Sequence, residues 1–259
     1  MGKSKAAWVL VTVILCGCLA AFGQPRLVVQ KSNNFRVGDV IGPDVFVVDQ
    51  NLEQRSLLSL IQPEAKVVAL VMFGGAALKT SEHHRGPLWC EDSFDDLAVE
   101  RALVAQFGQP SVQFLAVAVP PVYNPAAYGY ADKAFLGYAE TAPEFLDATR
   151  EFVKATEAQI KSSLLPFSRV FYDPRYRLAG KLKTGEGGES PAERYPWEGK
   201  LRWPEDPRNY GLPIIWLLSP KGEILEAPFF GNEWDSDPPH VQYEFRDVKA
   251  AIEKHLPQE

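Results

Sequence analysis

The chain has 259 residues, 46% hydrophobic and 23% charged, with a formal net charge of −6. That composition can bury a substantial core in one large domain or two small ones. The acidic balance excludes a nucleic-acid binder, which carries a clear basic excess.

The N-terminus reads as an export signal. Lys3 and Lys5 precede an almost wholly apolar run over 6–21, and Ala21 and Gly23 put small residues where a signal peptidase reads. Residues 1–23 are expected to be removed, leaving Gln24 as the mature N-terminus of a periplasmic or extracellular protein. A rival reading takes Leu15-Cys16-Gly17-Cys18 as a lipoprotein box, and membrane association would then run through a lipid on Cys18. A retained anchor ranks third because the apolar run is short for a span. If Cys16 and Cys18 leave with the signal, Cys90 is the one thiol left, and no internal disulfide can close.

Residues 24–35 read as a polar, flexible lead-in, and 37–43 as a turn-rich entry to a strand over 45–48. A short helical turn over 56–60 ends near Pro63. The Val-rich run 67–73 fits a strand covered on both faces. Paired Gly, paired His and Gly86-Pro87 make 74–88 a loop. A helix follows over 94–107, with Asp92 as its cap, Phe94, Leu97, Val104 and Phe107 near one face, and Gly108 as its stop.

Residues 112–119 form a second buried-type strand, ended by Pro120-Pro121, and the stretch to 138 is irregular. A long amphipathic helix over 142–161 turns Phe145, Phe152 and Val153 inward. A short strand over 170–172 leads to a helix over 175–182, and 184–209 is a long excursion rich in Gly, Pro, Glu and Trp. Residues 214–218 are again a buried strand, with a turn over 220–222 and a hairpin partner over 223–227. A helix over 245–256 closes the chain. Strands alternating with helices, then a hairpin and helix, predict an α/β sandwich around a mixed sheet, with no linker dividing it.

Chemistry centres on Trp89-Cys90-Glu91-Asp92-Ser93. A thiol at a helix start sits at the positive end of the backbone dipole, which favours the reactive thiolate; Glu91 and Asp92 oppose this by like charge. The bland alternative is a small buried hydrophobe. Glu82, His83, His84, Cys90 and Asp92 could be imagined as a soft metal site, but adjacent histidines diverge and no Cys pair supports them, so no metal and no cofactor is expected. Gly185-Glu186-Gly187-Gly188 lacks the Lys-Ser/Thr of a phosphate loop. Trp89, Tyr195, Trp197 and Trp203 could line a groove.

This order of motifs resembles the thioredoxin-like superfamily, particularly its peroxiredoxin and thiol-specific-antioxidant branch. The resemblance rests on an apolar strand before Trp89-Cys90, on Leu165-Pro166-Phe167 ahead of Asp173, on Gly211-Leu212-Pro213 ahead of Ile214, and on Ser219-Pro220-Lys221-Gly222-Glu223-Ile224. It implies a three-layer sandwich over 36–259, a central mixed sheet flanked by helices, with insertions at 74–88 and 184–209. It also implies a cis bond before Pro213, and a substrate-receiving loop formed by Gly211, Leu212 and Pro213 beside Cys90.

The chain departs from the family where Ser93 replaces the second Cys, and where His83 and Pro87 stand in the places of the peroxiredoxin Pro and Thr, respectively. A second register puts the family's active-site turn at 78–81, without a thiol; there Phe73-Gly74 and Tyr210-Gly211 resemble iodothyronine deiodinases lacking the reactive residue. In the Cys90 register the expected activity is a single-cysteine thiol oxidoreductase or antioxidant acting on a peroxide or disulfide. Cys90, Ser93 and Trp89 form its centre, and an external thiol or thioredoxin-like reductant completes the cycle. A binding module without chemistry, or a metal-handling protein, are the other classes.

Overall fold

The apolar run at the centre of the chain forms strand β3 (Val67–Gly74), every residue of which is buried. The computed structural model describes residues 36–80, 86–108, 110–122, 124–135, 137–175, 212–231 and 243–257. On one side β3 pairs in parallel with β4 (Val112–Val119), in register from Val67↔Val112 to Gly74↔Val119. On the other it pairs antiparallel with β6 (Ile214–Leu218), Val68 opposite Leu218 and Met72 opposite Ile214. Continuous apolar runs suit such strands because helices cover both their faces.

β5 (Val170–Tyr172) adds in parallel to β4, and the hairpin of β1 (Phe46–Val48) and β2 (Gln54–Ser56) caps that edge through Val48↔Tyr172. β7 (Phe229–Phe230) caps the other edge, giving the order β2-β1-β5-β4-β3-β6-β7.

Two neighbouring glycines show which helices cover which face. A Cβ on Gly74 would meet the Cys90 Cβ and the Trp89 ring, at the start of α1 (Glu91–Asp95) and α2 (Leu97–Phe107). A Cβ on Gly75 would instead meet Phe152 of α3 (Pro143–Lys161) and Ala118. Successive residues of a strand point to opposite faces, so α1 and α2 lie on one face and α3 on the other. The closing helix α4 (Phe245–His255) packs beside α2. The result is a three-layer α/β sandwich with a thioredoxin-like strand order: a parallel β5-β4-β3 set, an antiparallel β6-β7 pair, and the Cys90 helix following β3. None of the described helices is long and apolar enough to cross a membrane.

Three local expectations are corrected. The residue capping α1 is Cys90, with φ −101° and ψ 119° and no side-chain cap bond, rather than Asp92. The expected single helix breaks at Asp96, whose ψ of −10° separates α1 from α2. The stretch after the turn does pair back on β6, through the bridge Leu218↔Ile224 and the Leu225 amide donating to the Leu217 carbonyl, but the strand that pairs with β6 is 229–230, read from sequence as irregular. The same stretch also pairs on its other side, where the Ile224 amide donates to the Asp39 carbonyl and Glu223 bridges Val40. The short strand β2 went unread because Gln54-Arg55-Ser56 carries no apolar alternation. The expected helix over 175–182 and the excursion over 184–209 lie outside the described residues, apart from Arg175.

Candidate active site

Cys90 reaches its position through a loop that is closed at the base. Beyond β3 the chain departs at Gly75 and returns at Trp89, whose amide donates to the Gly75 carbonyl at 3.0 Å. Ala76 forms an antiparallel bridge with Leu88, and the Ala77 amide donates to Pro87 at 2.9 Å. The Tyr130 hydroxyl donates to the Ala76 carbonyl at 2.7 Å, and Thr156 Oγ1 accepts from the Ala76 amide at 3.2 Å. These bonds return the chain to the end of β3, so that Cys90 sits directly on Gly74.

Around the sulfur, five of the residues expected from sequence converge. The half-buried Cys90 thiol donates to the Leu212 carbonyl, with Sγ and O 3.6 Å apart. Leu212 is linked to the buried Pro213 by a cis peptide bond. Ser93 is fully buried, its Oγ accepts from the Gly74 amide at 2.9 Å, and hydrogen bonding from Ser93 lowers the thiol pKa. Trp89 is half-buried, its ring nitrogen donating to the Val119 carbonyl at 2.5 Å. Gly211, the sixth, lies outside the described residues, as do Glu82, His83 and His84. Among the described residues no cluster of His, Cys, Asp and Glu is arranged to hold a metal ion.

Electrostatics modify the sequence reading. Burial pushes the Cys90 thiol up to about 11; the Asp92 charge adds to this, while hydrogen bonds from Ser93 oppose it. The sequence argument set the helix start against two acids, but desolvation outweighs both. The resting site therefore holds a neutral thiol at pH 7. Its proton is directed at Leu212, and Ser93 stands ready to stabilise an anion.

Two groups escaped the sequence reading. Tyr128 ends a short 3₁₀ turn (Pro125–Tyr128) and meets the Trp89 ring edge-on, with centroids 5.9 Å apart and planes at 65°. Burial, together with the nearby charges of Cys90 and Glu91, raises its phenol above the usual range. Nothing in the irregular stretch after Pro121 signals this role. The second group lies along the inward face of the helix, where Asp96 and Glu100 are buried beside Tyr243. Burial raises Asp96 to about 6, with the Asp92 and Asp95 charges adding and a hydrogen bond to Tyr243 opposing. Both Glu100 carboxylate oxygens are buried without a hydrogen-bond partner, and burial and the Asp96 charge push its pKa well above the usual range. The spacing 93, 96, 100, 103 is a helical stripe and could have revealed these acids as inward.

In the alternative register, the Leu78 and Lys79 amides donate to the Tyr128 carbonyl at 2.9 and 3.2 Å, and residues 78–80 are exposed. Ser81 lies outside the described residues.

No family model matches the chain, and no curated protein matches it. Solved structures similar in fold include a candidate thiol:disulfide interchange protein DsbE from Chlorobium tepidum. It is 16% identical, with 86% of this chain and 100% of that one covered and a TM-score of 0.40. A second thiol:disulfide interchange protein of the thioredoxin family, from Chlorobium tepidum TLS, is 11% identical over 86% and 99% of the two chains, with a TM-score of 0.39. The exposed lipoprotein thioredoxin Etrx1 of Streptococcus pneumoniae TIGR4 is 12% identical over 81% and 98%, with a TM-score of 0.35. These likenesses are remote, and the fold assignment rests on strand order and on the site's position at the end of β3.

Proposed function

We propose that the chain is an exported thiol oxidoreductase that uses Cys90 alone. The observation that carries this reading is the setting of the Cys90 sulfur. It is the one cysteine among the described residues, half-buried at the start of a helix, with its thiol 3.6 Å from the Leu212 carbonyl that precedes the cis Pro213. Deprotonated Cys90 attacks a disulfide sulfur, forming a mixed disulfide and expelling the partner thiolate. An external thiol then attacks the mixed disulfide and regenerates Cys90. With a peroxide, the thiolate takes one oxygen to become a sulfenic acid and releases hydroxide or alkoxide, and external thiols reduce it. Ser93 has no sulfur with which to resolve either adduct, so an external reductant is built into the proposal. Trp89, Leu212 and Pro213 form the surface that receives the substrate, within one domain spanning 36–259; Gly211, expected with them, lies outside the described residues. Export follows from the 1–23 signal, and an intact mass beginning at Gln24 rather than at a lipidated Cys18 tests it.

Alkylation of Cys90 followed by peptide mass against pH is the deciding experiment. The expected rate climbs about tenfold per pH unit and levels near a pKa of about 11. Peroxide or an oxidised small disulfide should add the mass of a sulfenic acid or a mixed disulfide at Cys90. A native thiol inert to all of these at every pH where the protein stays folded would overturn the reading. The second reading, a binding module with a packed cysteine, is favoured by one specific observation: burial that opposes thiolate formation.

A further inference from the structure

Two segments far apart in sequence, over 75–80 and 125–128, meet beside Trp89, the residue before Cys90. Trp89 is fixed by its bond to Val119, and the Tyr128 ring meets it edge-on. Leu78 is a large hydrophobe left 36% exposed, on a chain that could have buried it. Its backbone is not loose, because the Leu78 and Lys79 amides both donate to the Tyr128 carbonyl. Gly129 follows Tyr128 at φ +92°, and a Cβ there would come within 2.9 Å of the Leu78 Cβ. That close approach, possible only for glycine, welds the loop over 75–80 to the turn over 125–128. The outer rim carries Glu91, exposed, and Asp92, half-exposed, so an acidic edge borders an apolar wall.

We infer that Tyr128 and Leu78, with Trp89, form the specificity wall of the Cys90 site and select neutral or cationic substrates carrying an aromatic or branched apolar group beside the reacting atom. The inference rests on the oxidoreductase reading and deepens it. The Tyr128–Trp89 ring pair, and the exposed Leu78 whose backbone is tied to Tyr128, offer apolar area that a substrate side chain removes from water. Glu91 and Asp92 repel an anionic group on approach and attract a cationic one. Small oxidised thiols bearing two carboxylates fit this rim poorly; a segment of an unfolded or extended polypeptide with an aromatic residue next to its cysteine fits it well.

Matched alkylating probes test the wall without changing the chemistry. Iodoacetamide, iodoacetate and N-benzyl iodoacetamide react at the same carbon, each forming a thioether with the Cys90 thiolate and releasing iodide. Rates are read at Cys90 by peptide mass on the full chain and divided by those of free cysteine. The folded protein is expected to favour the benzyl probe over iodoacetamide by about tenfold, as one aromatic contact provides, and to disfavour iodoacetate. Tyr128→Ala and Leu78→Ser should bring the benzyl-to-iodoacetamide ratio close to one, each rate being divided by the same variant's iodoacetamide rate so that a general change in thiol reactivity cancels. Tyr128→Phe keeps the ring and should keep the ratio; thermal melting confirms that each variant folds. Equal ratios in the native protein and both variants, with Cys90 still reactive, would overturn the wall and leave the oxidoreductase reading standing. A Cys90 inert to all three probes would overturn both.

Discussion

Gly74 and Cys90 are in direct contact across the whole length of the loop between them: a Cβ built on Gly74 falls 2.3 Å from the Cys90 Cβ and 3.2 Å from its amide. The residue that ends the central strand is therefore the floor of the cysteine site. Gly74→Ala leaves no soft atom to yield, since the nearest obstacles are a Cβ, a backbone amide and the Trp89 ring. The expected loss is about 2 kcal/mol of stability, typical of overpacking a buried contact. Thermal unfolding should show a midpoint lowered by roughly 5 °C, and Cys90 alkylation should change in rate because its support has shifted.

Ser93 links the same floor to the sulfur. Its Oγ accepts from the Gly74 amide at 2.9 Å, and hydrogen bonding from Ser93 lowers the Cys90 pKa. Ser93→Ala removes the donor that favours thiolate, so the thiol pKa should rise beyond about 11 and alkylation at pH 8 should slow. The same change leaves the buried Gly74 amide without its acceptor, costing about 1–3 kcal/mol. An unchanged alkylation rate in a folded variant would show that the hydroxyl does nothing for the sulfur.

Ser93→Cys places a second thiol one helical turn from Cys90. The introduced thiol can attack a mixed disulfide at Cys90, giving an intramolecular disulfide and releasing the substrate thiolate. Reduction of a protein disulfide by excess dithiothreitol should then proceed faster than with the native chain, and trapped mixed disulfide should disappear from the mass spectrum. Persistence of the adduct would mean that the two sulfurs cannot meet.

The buried acids on the helix give stability a pH dependence. Asp96 and Glu100 have folded pKa values raised above their unfolded ones, Asp96 to about 6. The folded chain therefore holds protons that the unfolded chain releases at about pH 4. Their stabilising contribution is complete below that pH, and is lost as pH rises through about 6 for Asp96 and higher for Glu100. Thermal midpoints should fall between pH 5 and 8. Glu100→Gln, which stays neutral, should flatten that fall and be the more stable protein at pH 8. A steeper decline in the variant would contradict the burial of an uncompensated acid.

The sequence by itself determined the elements whose physics is local. The apolar runs of β3, β4 and β6 were legible because strands covered on both faces need no polar alternation. The long helix α3 was legible from its stripe of Phe145, Phe152 and Val153, all buried. Cys90, Ser93, Trp89, Leu212 and Pro213 were candidates through a resemblance of motifs, and the sequence could not say that Leu212 lies within reach of the Cys90 sulfur, as it does in the fold. Tertiary structure decided what depends on residues distant in sequence. Only the fold brings the Tyr128 ring onto Trp89 and the Leu78 amide onto the Tyr128 carbonyl, since neither segment has a periodicity of its own. Only burial turns the thiol from an expected thiolate into a proton holder, because desolvation is set by what packs around the sulfur, not by its neighbours in the chain. Glu100 is the same lesson in reverse: its helix position is local, but its lack of a partner exists only once α2 is packed in the sandwich.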